Sequence, residues 1–404
     1  MAKEKKWRAL CLGGGATNLT LMSGALHELN QAGLHKNNNS KGPNIITMAG
    51  AGAVVGLHYL APKGTKTKDR FSLEALENTI NLGVSDAIFE MFPINYKAFT
   101  KSGPSADLFN KFWFNLPEVQ AVMHQSGMSD DEVLLGDALM FAGAMMCPTD
   151  VNFFSQGICG HAPFLEEFID FKALQSIDPN DIEIEINAFS VEDNKVVDFT
   201  NYERNDDGTP KLDSYNKYIA KEITVDHLRA ALSYPFLHPP YKIGDKHYFE
   251  GAAIQSLNDY FFDEAEIIDW ILVLDPLRKN MIGTPQNLWD AFALSIIMPT
   301  AGLTELGQLI LEFKSKFGDL LPGSKQLAGK IATRNNKRLS ALELMAVVTA
   351  QTESELYLSE FHIPETSVPR AWGWSRSSMK DLFKIGQEAG KCIANEMRLK
   401  NDLP

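Results

Sequence analysis

The chain has 404 residues, enough for one large domain or two ordinary ones with a buried core. Its 45% hydrophobic and 22% charged content is that of a globular protein, which excludes a low-complexity or disordered chain. A formal charge of −13 repels polyanions and excludes nucleic acid as the expected partner.

The opening, MAKEKKWRALCLGGG, has too few apolar residues for a signal peptide. No later stretch approaches the roughly 18 uninterrupted apolar residues of a membrane span, so no transmembrane segment and a cytoplasmic location are expected. WRALCL (7–12) reads as an apolar strand that breaks at Gly13, Gly14 and Gly15. A helix follows through LTLMSGALHELNQAG, with Leu19, Met22, Leu26 and Leu29 spaced three or four apart and Gly33 as its C-cap. Thr17 and Asn18 suit N-cap positions for that helix, and Asn18 also suits a ligand contact. The polar HKNNNSKGPN is a loop.

IITMAGAGAVVGLHYL (45–60) then runs from an apolar strand through small residues straight into a helical pattern. That is the outline of a nucleophile elbow, whose turn normally reads G-x-S-x-G. Here the five residues are Met48, Ala49, Gly50, Ala51 and Gly52, and no one-residue slip of register supplies a serine.

Residues 62–150 read as mainly helical, interrupted by proline and glycine. IEIEINAFSV (182–191) alternates like a strand, with KVVDFT (195–200) as a hairpin partner. HLRAALSYPFL is a helix stopped at Pro235, KHYFEGAAI a strand ending in a turn, and DWILVLDPL (269–277) a buried strand. Strands alternating with helices predict an α/β sandwich around a mostly parallel sheet. Residues 281–360 carry long amphipathic patterns such as LWDAFALSIIM and LTELGQLILEFKSKF, and no strand is expected there.

Together these segments resemble, in order, the patatin-like phospholipases and acyl hydrolases. CLGGGATN is similar to the family's glycine-rich oxyanion loop (G-G-G-x-[RK]-G), and ITMAGAGAVVG to its elbow. FSQGICGHAPFLEEFIDF, INAFSVEDNKVVDF, the stretch from HLRAALSYPFL to FEGAAIQSLN, and ILVLDP resemble the segments that follow. WGWSRSSMKDLFKIGQEAGK resembles the last helix of one subgroup. The resemblance implies a three-layer patatin-like core over 1–280 and a C-terminal helical segment over 361–404 packing on it, while the amphipathic patterns of 281–360, outside the resemblance, read as a helical insertion that acts as lid or interface or packs in the interior.

It also implies a Ser–Asp dyad, and there the residues depart from the family pattern. Gly50 falls at the nucleophile position and Glu250 at the aspartate position, while Thr17 and Asn18 replace the basic residue and glycine of the oxyanion loop. Covalent acyl transfer needs an oxygen or sulfur nucleophile beside a base, and glycine supplies neither. The backbone N–H groups of Gly14, Gly15 and Ala51 are the oxyanion donors the family fold implies, with Gly13 opening the loop.

Glu250 is a surface residue that merely follows a strand, or it takes one of two roles. Its longer side chain reaches space that a serine would fill and plugs the site, or, held in an apolar cleft, it titrates near neutrality as a general acid or base. Asp275, ending a strand before proline, suits a turn, and Ser233 and Ser256 flank the Glu250 segment without a geometric argument for either as nucleophile. His27 and His58 read as helix residues without ligand spacing.

The four cysteines (Cys11, Cys147, Cys159, Cys392) are scattered, as isolated thiols of a reducing compartment are. No H-E-x-x-H suggests metal, and neither G-x-x-x-x-G-K-[ST] nor G-x-G-x-x-G suggests a nucleotide, so no metal and no cofactor are expected. The expected function is a degenerate patatin-like protein that binds a lipid or acyl ligand or joins a complex. A protein partner or a second copy would dock through 281–360. The alternative is an enzyme of altered chemistry on an acyl or acyl-thioester substrate, using Glu250 with the glycine loop. Residual esterase activity is a third reading.

Overall fold

The computed structural model describes residues 6–35, 42–63, 70–123, 130–162, 167–201, 217–219, 223–255, 257, 267–275, 284–285, 288–317, 355–358 and 373–403. The first strand, β1 (Lys6–Leu12), is buried at Ala9, Leu10, Cys11 and Leu12 on both faces, as a central parallel strand requires. After it come α1 (Leu19–Gln31), β2 (Ile45–Met48), α2 (Ala51–Leu60), α3 (Leu73–Asn78) and α4 (Asp86–Met91). Next are β3 (Phe99–Lys101), α5 (Pro104–Trp113), α6 (Pro117–Met123), α7 (Asp130–Met146), β4 (Cys159–His161) and α8 (Phe171–Leu174). β5 (Glu183–Ser190), β6 (Lys195–Thr200), β7 (Lys217–Ile219), α9 (Val225–Ala231), β8 (Tyr241–Ile243) and β9 (Lys246–Glu250) continue the chain. β10 (Ile267–Leu274), α10 (Leu288–Phe317), β11 (Glu355–Leu358) and α11 (Arg376–Leu399) complete the described elements.

The main sheet runs β11-β10-β1-β2-β5-β6-β7, with β9 paired to β5 and β8 to β9. The run from β11 to β5 is parallel, and the β5–β6, β5–β9 and β8–β9 pairings are antiparallel. Helices flank it, so the chain has the α/β fold that the alternation of patterns predicts. β3 and β4 form a separate two-stranded sheet. The chain leaves β1 toward β2 on one side and reaches β10 on the other, which places the carboxyl ends of β1, β2 and β10 around one crevice. Open α/β sheets bind ligands at such a crevice.

One expectation needs correction. Residues 355–358 (ELYL) form β11, parallel to β10, although no strand is expected in 281–360. Four residues are too few to carry a period-two signal, and the pairing with β10 decides the conformation instead. LWDAFALSIIM and LTELGQLILEFKSKF form one helix that runs through Pro299. Residues 318–354 lie outside the described residues, so the insertion is described only in part.

α1 ends as its glycine predicts. Gly33 has φ 105, and Leu34 N–H donates to Leu29 O at 3.0 Å, a Schellman closure. α1 also packs on α11 at backbone contact: a β-carbon on Gly24 would strike the Phe383 carbonyl, and one on Gly386 the Leu21 carbonyl. No described helix is long and apolar enough to cross a membrane.

Candidate active site

Strand register brings the two informative residues to one level. Met48 on β2 pairs with Ile186 on β5, and two residues further along β5, Ala188 pairs with Glu250 on β9. Gly50, two residues beyond Met48, therefore stands beside Glu250. Gly50 has φ 50 and ψ −123, a conformation open to glycine and strained by about 1–3 kcal/mol for a residue with a β-carbon. A β-carbon there would clash with Glu250 Oε1, and would lie 3.0 Å from Glu250 Cδ and 3.3 Å from Ala252 Cβ. The carboxyl also approaches Gly14, with Oε1 3.9 Å from the position of a Gly14 β-carbon.

The surrounding amides are unused. Among the described residues, the N–H groups of Gly14, Gly15 and Ala51 donate to no protein acceptor, Glu250 included. Ala51 opens α2, so the helix dipole adds positive potential at the same point. Gly13 is differently placed: its N–H donates to Leu274 O at 3.0 Å, and its Cα packs on the buried Asp275 side chain. Burial pushes the Glu250 carboxyl up to about 8, so at neutral pH it is mainly the uncharged acid.

A cavity of about 110 Å³ opens over these groups, lined by Gly15, Ala16, Asn18, Ala51, Glu250 and a largely apolar wall that includes Leu19, Val54, Phe99, Leu237 and Trp374. α10 closes part of it through Ile296, Ile297 and Thr300, and Thr300 shares a hydrogen bond with Tyr234. Asn18 takes the N-cap position of α1, as expected, but without a side-chain cap bond. Ala16–Asn18 is a 3-10 turn, so Asn18 already has helical backbone (φ −68, ψ −5) and makes no cap bond. Its side chain is buried against the cavity instead. The side chain of Thr17 and all of Ser256 lie outside the described residues.

Two histidines that the sequence did not single out also line the cavity. His161 and His238 stack with ring centroids 4.3 Å apart and planes 4° from parallel. His161 Nε2 lies 2.9 Å from Ser233 Oγ, which has the outline of a base and nucleophile. The protons run the other way. Ser233 Oγ donates its one hydrogen to Arg229 O at 2.8 Å, so it accepts from a His161 Nε2–H. Ser233 is also fully buried and off the cavity wall. His238 is buried, and neither ring nitrogen has a hydrogen-bond partner among the described residues. Desolvation lowers His238 to about 4 and keeps it neutral. His161 ends β4 and His238 lies in the loop before β8, with no shared spacing, so only the fold brings them together.

The profile of the family described as patatin-like phospholipase matches residues 10–258, well over half the chain. The chain belongs to the patatin-like phospholipase family. Its glycine-rich loop, elbow and Glu250 all fall inside the matched segment, and α10, β11 and α11 lie beyond it. The chain is also similar to VipD from Legionella pneumophila, at 13% identity and a TM-score of 0.35, covering 98% of this chain and 67% of that one. No curated protein matches.

Elsewhere in this patatin-like chain, His27 contacts Glu28 and Glu77 at 3.3 and 3.2 Å, and His58 is buried against Phe168. Among the described residues no group of His, Cys, Asp or Glu could hold a metal ion, and the four cysteines are unbridged.

Proposed function

We propose that this patatin-like chain is catalytically degenerate and binds a lipid acyl group without hydrolysing it, as a binding or complex-forming subunit. The observation that carries the reading is Glu250 Oε1 standing where a side chain on Gly50 would begin. A dyad needs a hydroxyl at that point, and here a carboxyl fills it. The cavity above is apolar and holds a neutral acid, with unused amides at its floor, which suits the uncharged carbonyl end of an acyl group. A cytoplasmic setting and a partner docking through 281–360 belong to the same proposal.

The test is direct. A fluorophosphonate probe should leave the purified protein unlabelled, whereas stoichiometric labelling of any serine overturns the reading. A single Gly50→Ser change should also stay inactive on a short-chain nitrophenyl ester, because Glu250 occupies the added side chain's position. The double change Gly50→Ser/Glu250→Asp should gain measurable hydrolysis if the scaffold is otherwise intact.

The second reading is altered chemistry at Glu250, favoured by the free amides and by a carboxyl that titrates at about 8. Near pH 7 such a group gives a proton more readily than it takes one, so it would act as a general acid. Turnover of an acyl thioester that disappears in Glu250→Gln would favour it over the binding role. Residual esterase activity draws no support from Ser233, whose hydrogen is committed to Arg229 O.

A further inference from the structure

Helix α7 is apolar on its outer side as well as its inner one. From Val133 to Met146 its only charged residue is Asp137, and that one faces inward. Asp137 is buried, pairs with Lys97, and accepts from the N–H and Oγ–H of Ser85 at 2.7 and 2.6 Å. Val133 and Met140, spaced four before it and three after it, are buried on the same side. The outer side leaves Leu134, Leu135, Ala138, Ala142, Met145 and Met146 exposed, Leu135 at 74% and Met146 at 66%. A helix that is apolar all round is ordinarily buried all round, so this face lacks its cover among the described residues. We infer that the cover is the same face of a second copy, packed antiparallel about a two-fold axis. The surface lies outside 281–360, and the inference stands independently of the acyl-binding reading.

Symmetry singles out that occupant. The exposed residues read Leu-Leu, Ala, Ala, Met-Met, and each stands as far before residue 140 as its counterpart stands after it. A two-fold axis at the level of Met140 therefore sets Leu134 against the partner's Met146, Leu135 against the partner's Met145, and Ala138 against the partner's Ala142. Large side chains meet at both ends, and small ones meet in the middle, where packed helices approach to about 8–10 Å. Leu135, Ala138, Ala142 and Met145 are spaced three, four and three, the repeat of a paired helix. A lipid surface asks for no such mirrored order, and an unrelated protein gives no reason for it.

Size and charge set the strength. At about 100 Å² for each Leu or Met and less for each Ala, two copies remove on the order of 1,000 Å² from water. That is near the lower limit of a specific interface and fits a dimer of micromolar affinity. The face itself is uncharged, but each copy carries −13, so the copies repel at long range. Salt screens that repulsion and should tighten the pair.

Sedimentation equilibrium of the full chain between about 1 and 100 μM should show the mass rising toward twice that of one chain, and rising earlier in high salt. Ala138→Glu should hold the chain monomeric throughout. Ala142→Glu, also at an exposed position, repeats the test should Ala138→Glu fail to fold. Orientation is read in a Cys392→Ser background, which removes the exposed native thiol. On oxidation, Leu135→Cys chains mixed with Met145→Cys chains should link to each other. Neither should link to itself, because the axis holds two copies of one position about 15 Å apart. A chain still monomeric at about 100 μM overturns the inference, and its flotation with phosphatidylcholine vesicles would give the face to a lipid surface instead. A dimer untouched by both glutamate changes, weakened by salt, or self-linked through either cysteine change overturns it too.

Discussion

Gly50 and Glu250 are complementary in shape. Glycine relieves the strain of φ 50, and the glutamate side chain takes up the volume that a β-carbon there would need. Glu250 leaves a mark on stability. Its folded pKa of about 8 lies above its ordinary 4.5, so between those values the folded chain holds a proton that the unfolded chain has released. That contribution is full below pH 4.5 and is lost as pH rises through 8. Urea unfolding at pH 6.5 and 8.5 should therefore show wild type losing stability and Glu250→Gln losing less; equal losses would place the carboxyl in water. Ala16, at φ 47 in the turn after the glycine loop, bears the opposite strain. Ala16→Gly should raise stability by up to about 1 kcal/mol in the same assay.

At the scale of elements, the α1–α11 pair is the most demanding contact, because Gly24 and Gly386 bring the two backbones together. Gly386→Val places a branched side chain against the Leu21 carbonyl, and we expect a loss of at least about 2 kcal/mol or a failure to fold, read from the urea midpoint. Elements are also where the sequence was most and least legible. β1, β2, the elbow and the β5–β6 hairpin follow from apolar runs and alternation over enough residues to show a period. Glu250 is legible because it ends a strand, just before a turn, in a motif of fixed order. β11 has too few residues for any pattern, and Asn18 holds the cap position without a cap bond because of the 3-10 turn that it ends. His161 and His238 meet through tertiary structure alone, and a local reading contains no trace of that meeting.

For the whole molecule, buried histidines oppose Glu250. Desolvation lowers His35 and His58 to about 3, His238 to about 4, and His161 well below its ordinary value. Between those values and 6.5 the unfolded chain binds protons that the folded chain refuses, so stability falls as pH drops below 6.5. Four such groups outweigh one carboxyl in that window, and above it the carboxyl acts alone. Stability should peak near pH 6.5 and fall more steeply on the acid side; a flat profile from pH 5 to 8 would show that these rings are hydrated.

The clasp between α1 and α11 has a consequence for how the protein is made. The glycine loop and α1 leave the ribosome early, while their covering helix follows on the order of tens of seconds later at ~5–20 residues per second. Until then the nascent chain exposes the apolar flank of α1, including Leu21, Met22 and Ala25, all fully buried once folding is complete. A transcript cut short before Arg376 should therefore yield chaperone-bound or aggregated product, and not a smaller protein with a working cavity.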